Sequence, residues 1–198
     1  MLMKRLAVLA VVLVAVALQP AFAQDNKFKI FGAASYVSPL ADEDVDFGTV
    51  RESVQAANDL GWEFGFELRA TKLIGIEVSY LNVTQDIEVD GDTIGDVDLT
   101  PWNASLNFHL FPTKVVDFWV GPSVAYVDWG NVNVDSGPTI QTDNEFAYGA
   151  SLGIDIGLGE TVAITGGVRW LKLDLPLEDL SDVGVDPLFA RVGIALRF

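Results

Sequence analysis

Seven charged residues stand on alternate positions within otherwise apolar stretches: Glu63, Glu67 and Arg69 in WEFGFELR, Glu77 in IGIEVSY, Asp155 in LGIDIG, Arg169 in GVRW and Arg191 in FARVGI. The chemistry open to them is ion pairing, because both signs are present and an unpaired charge in a dry space is expensive. Glu67, Glu77 and Asp155 are natural partners for Arg69, Arg169 and Arg191. Catalysis finds no matching set. The chain holds one histidine, His109, with no Ser/Asp pair beside it, and no cysteine, so a nucleophile activated by a base is missing and the chain reads as a non-enzyme. Asp90, Asp92, Asp96 and Asp98 lie close together but lack the glycine and the closing glutamate of a calcium loop. They read as a solvated surface, and neither a metal nor a cofactor is expected.

These side chains need a scaffold that puts every second residue in one place, which is a β-strand. Alternation covers eight segments, approximately Lys27–Pro39, Leu60–Thr71, Ile74–Val83, Leu99–Phe111, Asp117–Trp129, Phe146–Leu158, Val162–Leu173 and Leu188–Phe198. Each is long enough, at about 9–11 tilted residues, to cross a bilayer. Short connections around Lys72-Leu73, Pro112-Thr113-Lys114 and Gly159-Glu160 alternate with long acidic ones, which include ADEDVDF, DIEVDGDTIGDVD and LEDLSDVGVD. Short turns at one end and long loops at the other are the pattern of an outer-membrane barrel. The stretch TVRESVQAAND in the first long loop is read as a turn or two of helix.

The two faces of the strands decide between a soluble barrel and a membrane one. One face carries Trp62, Phe64, Phe66, Ile76, Leu106, Phe118, Leu152, Ile164 and Ile194. The other is small and polar, with Gly75, Ser79, Asn103, Ser105, Asn107, Gly121, Ser123, Gly153, Thr165 and Gly193 around the charges. A water-facing sheet would carry many Lys and Glu and little Gly. Small residues with scattered charges suit the inside of a narrow eight-stranded barrel, whose interior is only wide enough for side chains. The aromatics therefore face lipid. Tyr36, Trp62, Tyr80, Trp102, Tyr126, Tyr148 and Trp170, near strand ends, form the girdle.

On this register the lumen has two halves. Lys29, Glu67, Arg69, Glu77, Asn107, His109, Asp155 and Arg197 occupy the short-turn half, with Arg169 and Arg191 near the middle; Glu63 also faces the lumen. The network is either a fixed plug or a gate below a cavity. Val37, Leu81, Val83, Val127, Leu171, Leu173 and Phe189 point inward above it, as an apolar pocket for small hydrophobic solutes. The competing possibility is a bulge near Leu81 that turns them to lipid.

The first residues, MLMKRLAVLAVVLVAVALQPAFAQ, join a cationic head at Lys4 and Arg5 to an apolar run from Leu6 to Leu18 and an Ala21-Phe22-Ala23 cleavage site, so residues 1–23 read as a signal peptide and 24–198 as the barrel. The formal charge of −16 excludes nucleic acid as a partner.

The ending LFARVGIALRF, with Phe198 last, is similar to the assembly signal of Gram-negative outer-membrane proteins. GAASYVSPL, LGWEFGFELRATKLIGIEVSYL, LTPWNASLNFHLFP with FWVGPSVAYVDW, FAYGASLGIDIGLGETVAITGGVRWLKLDL and DPLFARVGIALRF together resemble the OmpW family of small outer-membrane barrels. The segment before Pro101 departs from that family, lacking its His-containing stretch and doubled proline. The OmpA/OmpX type is the broader match. The OmpW resemblance implies an outer-membrane location, a narrow channel passing small hydrophobic molecules, and their sideways release into the membrane. Its partners would be membrane lipid, lipopolysaccharide and the outer-membrane assembly machinery. An OmpA/OmpX-like barrel would instead be non-conducting and act through its acidic loops.

Overall fold

Eight long strands carry the chain in the computed structural model: β1 (Phe28–Ser38), β2 (Asp59–Arg69), β3 (Ile74–Val89), β4 (Asp92–His109), β5 (Val116–Trp129), β6 (Glu145–Gly157), β7 (Val162–Lys172) and β8 (Leu188–Arg197). The structure describes residues 27–38, 43–46, 51–56, 59–89, 92–131, 133–134, 144–175, 183–184 and 186–198. The expected signal peptide and Asp90 lie outside them.

Each strand pairs antiparallel with the next, and β1 pairs with β8, from Lys29 opposite Arg197 to Ser38 opposite Leu188. The sheet is thus a closed eight-stranded antiparallel barrel. Closure removes the exposed edges that an open sheet would leave. The final rung joins the start of β1 to the residue after β8, with Phe198 N–H donating to the Phe28 carbonyl at 2.8 Å and Phe28 N–H donating back at 3.1 Å.

The outer surface is apolar. Trp62 is 46%, Phe64 60% and Phe66 37% exposed, whereas Glu63 is 1% and Glu67 0% exposed. Large aliphatic residues on β3 to β8 are exposed in the same way, as is Tyr36 on β1. Water would not tolerate so wide an apolar belt on a monomer, and hydrocarbon would, since a closed barrel satisfies its own backbone. The girdle aromatics touch in sequence around the wall: Trp62 with Tyr80 at 5.5 Å, Tyr80 with Trp102 at 4.9 Å and Tyr126 with Phe146 at 5.0 Å between ring centres.

Two expectations need correction. β3 runs to Val89 and β4 begins at Asp92, so DIEVDGDTIGDVD is mostly hairpin and not loop. Its acids disguise the alternation, because above the lipid belt the outward positions are polar. Thr84 donates to Asp98 at 2.7 Å and Asn133 donates to Asp96 at 3.2 Å on this upper rim. The second correction concerns the first long loop. Arg51–Ala56 is a strand, paired with Glu43–Asp46 and with Ile87–Val89 of the extended β3, where a helical turn was expected. The extended β3 edge supplies backbone partners that a local sequence reading does not see.

Candidate functional site

The small face of the barrel builds the lumen upward from the short turns. At the bottom, Lys29 Nζ lies 2.9 Å from Glu67 Oε2 and 3.2 Å from Asp155 Oδ2. Arg69 reaches Glu67 Oε1 at 2.8 Å and Asp117 Oδ2 at 2.6 Å. His109 fits between the same two carboxylates, with Nδ1 3.0 Å from Asp117 and Nε2 3.0 Å from Glu67. Asn107 donates to Glu67 Oε2 at 3.3 Å. Arg197 turns to the turns themselves, donating to the carbonyls of Lys114 and Gly159 at 3.0 and 3.4 Å.

One tier higher, two arginines clasp two glutamates. Arg191 donates to Glu63 Oε1 and Glu77 Oε2, both at 2.9 Å. Arg169 donates to the same Glu63 oxygen at 3.2 Å, to Glu77 at 3.3 Å and to Ser79 at 3.3 Å. Lys29 lies 3.8 Å from Glu77 and ties the tiers together. The Arg191 guanidinium also stands 4.3 Å from the Phe31 ring centre and 5.3 Å from that of Trp119, which favours the cation on both sides. A serine ladder closes one wall, Ser105 to Ser123 at 2.8 Å and Ser123 to Ser151 at 3.0 Å.

The small residues make the room. A Cβ on Gly153 would overlap the Trp119 indole, and one on Gly65 would overlap the Phe31 ring. Bulk on one strand therefore sits over the glycine paired with it on the neighbouring strand.

Above the ions the lumen changes character. Val37, Leu81, Val83, Val127, Leu171, Leu173 and Phe189 are all buried and pack into one cluster with Val97, Leu99, Ala125, Trp129 and Ala147. The β3–β4 register is constant through Leu81 and shifts only at Ile87/Glu88, so a flip of these residues to lipid does not occur. The side chains of the cluster are packed against one another. A void of about 10 Å³ lies at its base, among Glu63, Trp119, Ser151, Arg169, Phe189 and Arg191. That is room for about one water-sized group.

The wall beside the apolar half has a weak place. There the β3–β4 ladder skips Leu81–Pro101 and Asn82–Thr100; lower down, at the level of the ion pairs, the β4–β5 ladder skips Leu106–Pro122 and Asn107–Gly121. A proline has no N–H to give to the rung. In a closed barrel every strand is central, where proline is normally avoided, and β4 carries a missing rung on each side.

The lumen brings together all seven charged residues singled out from the sequence; Asp155 lies 4.0 Å from Arg69, one of the arginines expected, and closer, at 3.2 Å, to Lys29. Sequence reasoning passes over Asp117, Trp119 and Phe31. Their parity marks them: Asp117 and Trp119 alternate with Gly121 and Ser123, and Phe31 with Lys29. Among the described residues no group of three or more His, Asp or Glu converges as a metal site. Asp92, though on β4, is not described at side-chain level.

Comparison with known proteins agrees with this architecture. No protein-family profile matches the sequence, and no curated protein matches it. Among solved structures the chain is similar to the outer membrane protein OprG from Pseudomonas aeruginosa, with a TM-score of 0.75 and 17% identity over 86% of this chain and 95% of that one. It is similar to outer membrane protein AlkL, with a TM-score of 0.68 and 17% identity over 86% and 89%. It is also similar to the E. coli outer membrane protein W, with a TM-score of 0.51 and 18% identity over 87% and 97%. At these identities the likeness is one of fold, and the chain has the fold of the small eight-stranded outer-membrane barrels.

Proposed function

We propose that this protein sits in the outer membrane of a Gram-negative bacterium, admits small apolar solutes at its long-loop end and releases them sideways through the wall. The observation that carries the reading is the meeting of three features at one level. The apolar half ends on a floor of interlocked ion pairs, so passage along the axis would require breaking several buried charges, at about 3–5 kcal/mol for each partner left unpaired. The apolar side chains above that floor pack against one another and can exchange these contacts for solute contacts. The adjacent wall lacks a backbone rung where Pro101 faces Leu81. The wall is therefore the weaker barrier. Membrane lipid and lipopolysaccharide surround the barrel in this reading, the assembly machinery uses the Phe198 end, and small hydrophobic solutes are the cargo.

The test is uptake of a small apolar dye by liposomes containing the refolded barrel, with ionic conductance measured in parallel. Dye uptake with little conductance supports the reading. A filled lumen favours a second reading, a non-conducting barrel that works through its acidic loops. Silence in both assays, from a barrel shown to be folded by its heat-dependent gel shift, would favour that one.

A further inference from the structure

The void between the two halves of the lumen is lined by three side chains that each carry a polar atom without a hydrogen-bond partner: Glu63 Oε2, Trp119 Nε1 and Arg169 Nε. All three residues are at least nine-tenths buried. Their other polar atoms are engaged, Glu63 through Oε1 and Arg169 through both terminal nitrogens. Leaving such groups unmatched is costly, so the void is a place that asks for a polar guest. Phe189 lines it and belongs to the apolar cluster above. A polar group seated here would have its remaining atoms directed into hydrocarbon.

The hydrogen-bond inventory selects the guest. Trp119 and Arg169 offer two N–H donors, and Glu63 offers one acceptor. A hydroxyl has one O–H donor and two lone pairs, which matches all three. A ketone leaves the glutamate oxygen unmatched, and an alkane leaves all three. A carboxylate would face Glu63, and an ammonium would face Arg169 and Arg191. The void's volume of about 10 Å³ suits a single oxygen.

We infer that this void is a binding site for the hydroxyl group of a small amphipathic alcohol, with its hydrocarbon tail in the apolar half of the lumen. The inference rests on the solute reading proposed above and narrows its substrate class. The test is an NMR titration of the refolded barrel in lipid nanodiscs with n-hexanol and n-hexane at matched concentrations in the lipid phase. The Trp119 indole N–H and the Gly167 amide, both at the void, report binding. Hexanol should bind about tenfold or more tightly than hexane, the scale of one buried hydrogen bond. Trp119→Phe, which removes a donor and keeps the ring, should narrow that preference several-fold, read at Gly167, and leave hexane unchanged.

Equal binding of both ligands, or an unchanged preference in Trp119→Phe, overturns the hydroxyl site and leaves the solute reading standing. Hexanol bound at the void with no dye uptake overturns the solute reading and leaves the site. Binding of neither overturns the hydroxyl site, and with no dye uptake beside it overturns the solute reading as well.

Discussion

Arg191 and Glu63 meet across the lumen at 2.9 Å although 128 residues separate them. Arg169 shares the same glutamate oxygen, and Glu77 completes the square. Four strands, β2, β3, β7 and β8, are thereby tied through their side chains as well as their backbones. Removing one member leaves buried charge unpaired. Glu63→Ala is expected to cost about 3–5 kcal/mol, read from urea unfolding in lipid vesicles. Replacing Glu63, Glu77, Arg169 and Arg191 together by apolar residues of similar volume should cost far less than the single change. Equal losses would show that the square contributes by shape and not by charge.

The lipid face has its own scale. Phe64 is exposed in the middle of β2, between the girdle residue Trp62 and Phe66. Phe64→Arg should destabilise the inserted barrel by about 2–4 kcal/mol if the position lies near the midplane. A variant that stays inserted and as heat-stable as the native barrel would reverse the assignment of faces.

Trp119 lies across Gly153 and Gly167, where a Cβ would meet the indole. Gly153→Val should displace the ring and cost about 1–3 kcal/mol, the usual range for overpacking. The fluorescence of Trp119, in a chain whose other tryptophans are replaced by Phe, should shift with it. An unmoved spectrum would mean that the lumen yields at this wall.

At the short turns Lys114 donates to Glu160 at 2.9 Å, with both side chains exposed. The neighbouring ammonium holds the Glu160 carboxyl below its ordinary range. A lowered pKa means that the pair's contribution is present at neutral pH and fades as pH falls through the lowered value. NMR titration should place the Glu160 midpoint below that of a free glutamate, and Lys114→Ala should return it. Global stability should stay where it was, because exposed pairs are screened by water.

Much of this molecule was legible in the sequence because a membrane barrel writes its geometry in a period of two. WEFGFELR alone separates the lipid face from the lumen face, and parity carries that separation through every strand. What the sequence hid was of two kinds. Partners across the lumen depend on strand tilt and shear, so Asp155 could be placed inside but not matched to Lys29. Bulky residues with lumen parity, Trp119 and Phe31, look like lipid-facing aromatics until the glycines opposite them are located. The extended β3–β4 hairpin was obscured because acids on alternate positions resemble a loop once the apolar belt ends. The filled state of the apolar half could not be read at all, since volume, unlike parity, is set by how all eight walls close.

The account turns most on where solute leaves. Pro101→Ala restores the N–H that the β3–β4 rung lacks beside Leu81 and should seal the wall without touching the ionic floor. Stopped-flow uptake of an apolar dye into liposomes should be clearly slower for Pro101→Ala than for the native barrel, with conductance low in both. Uptake by Pro101→Ala at the native rate, or dye movement that rises with ionic conductance, would contradict sideways release.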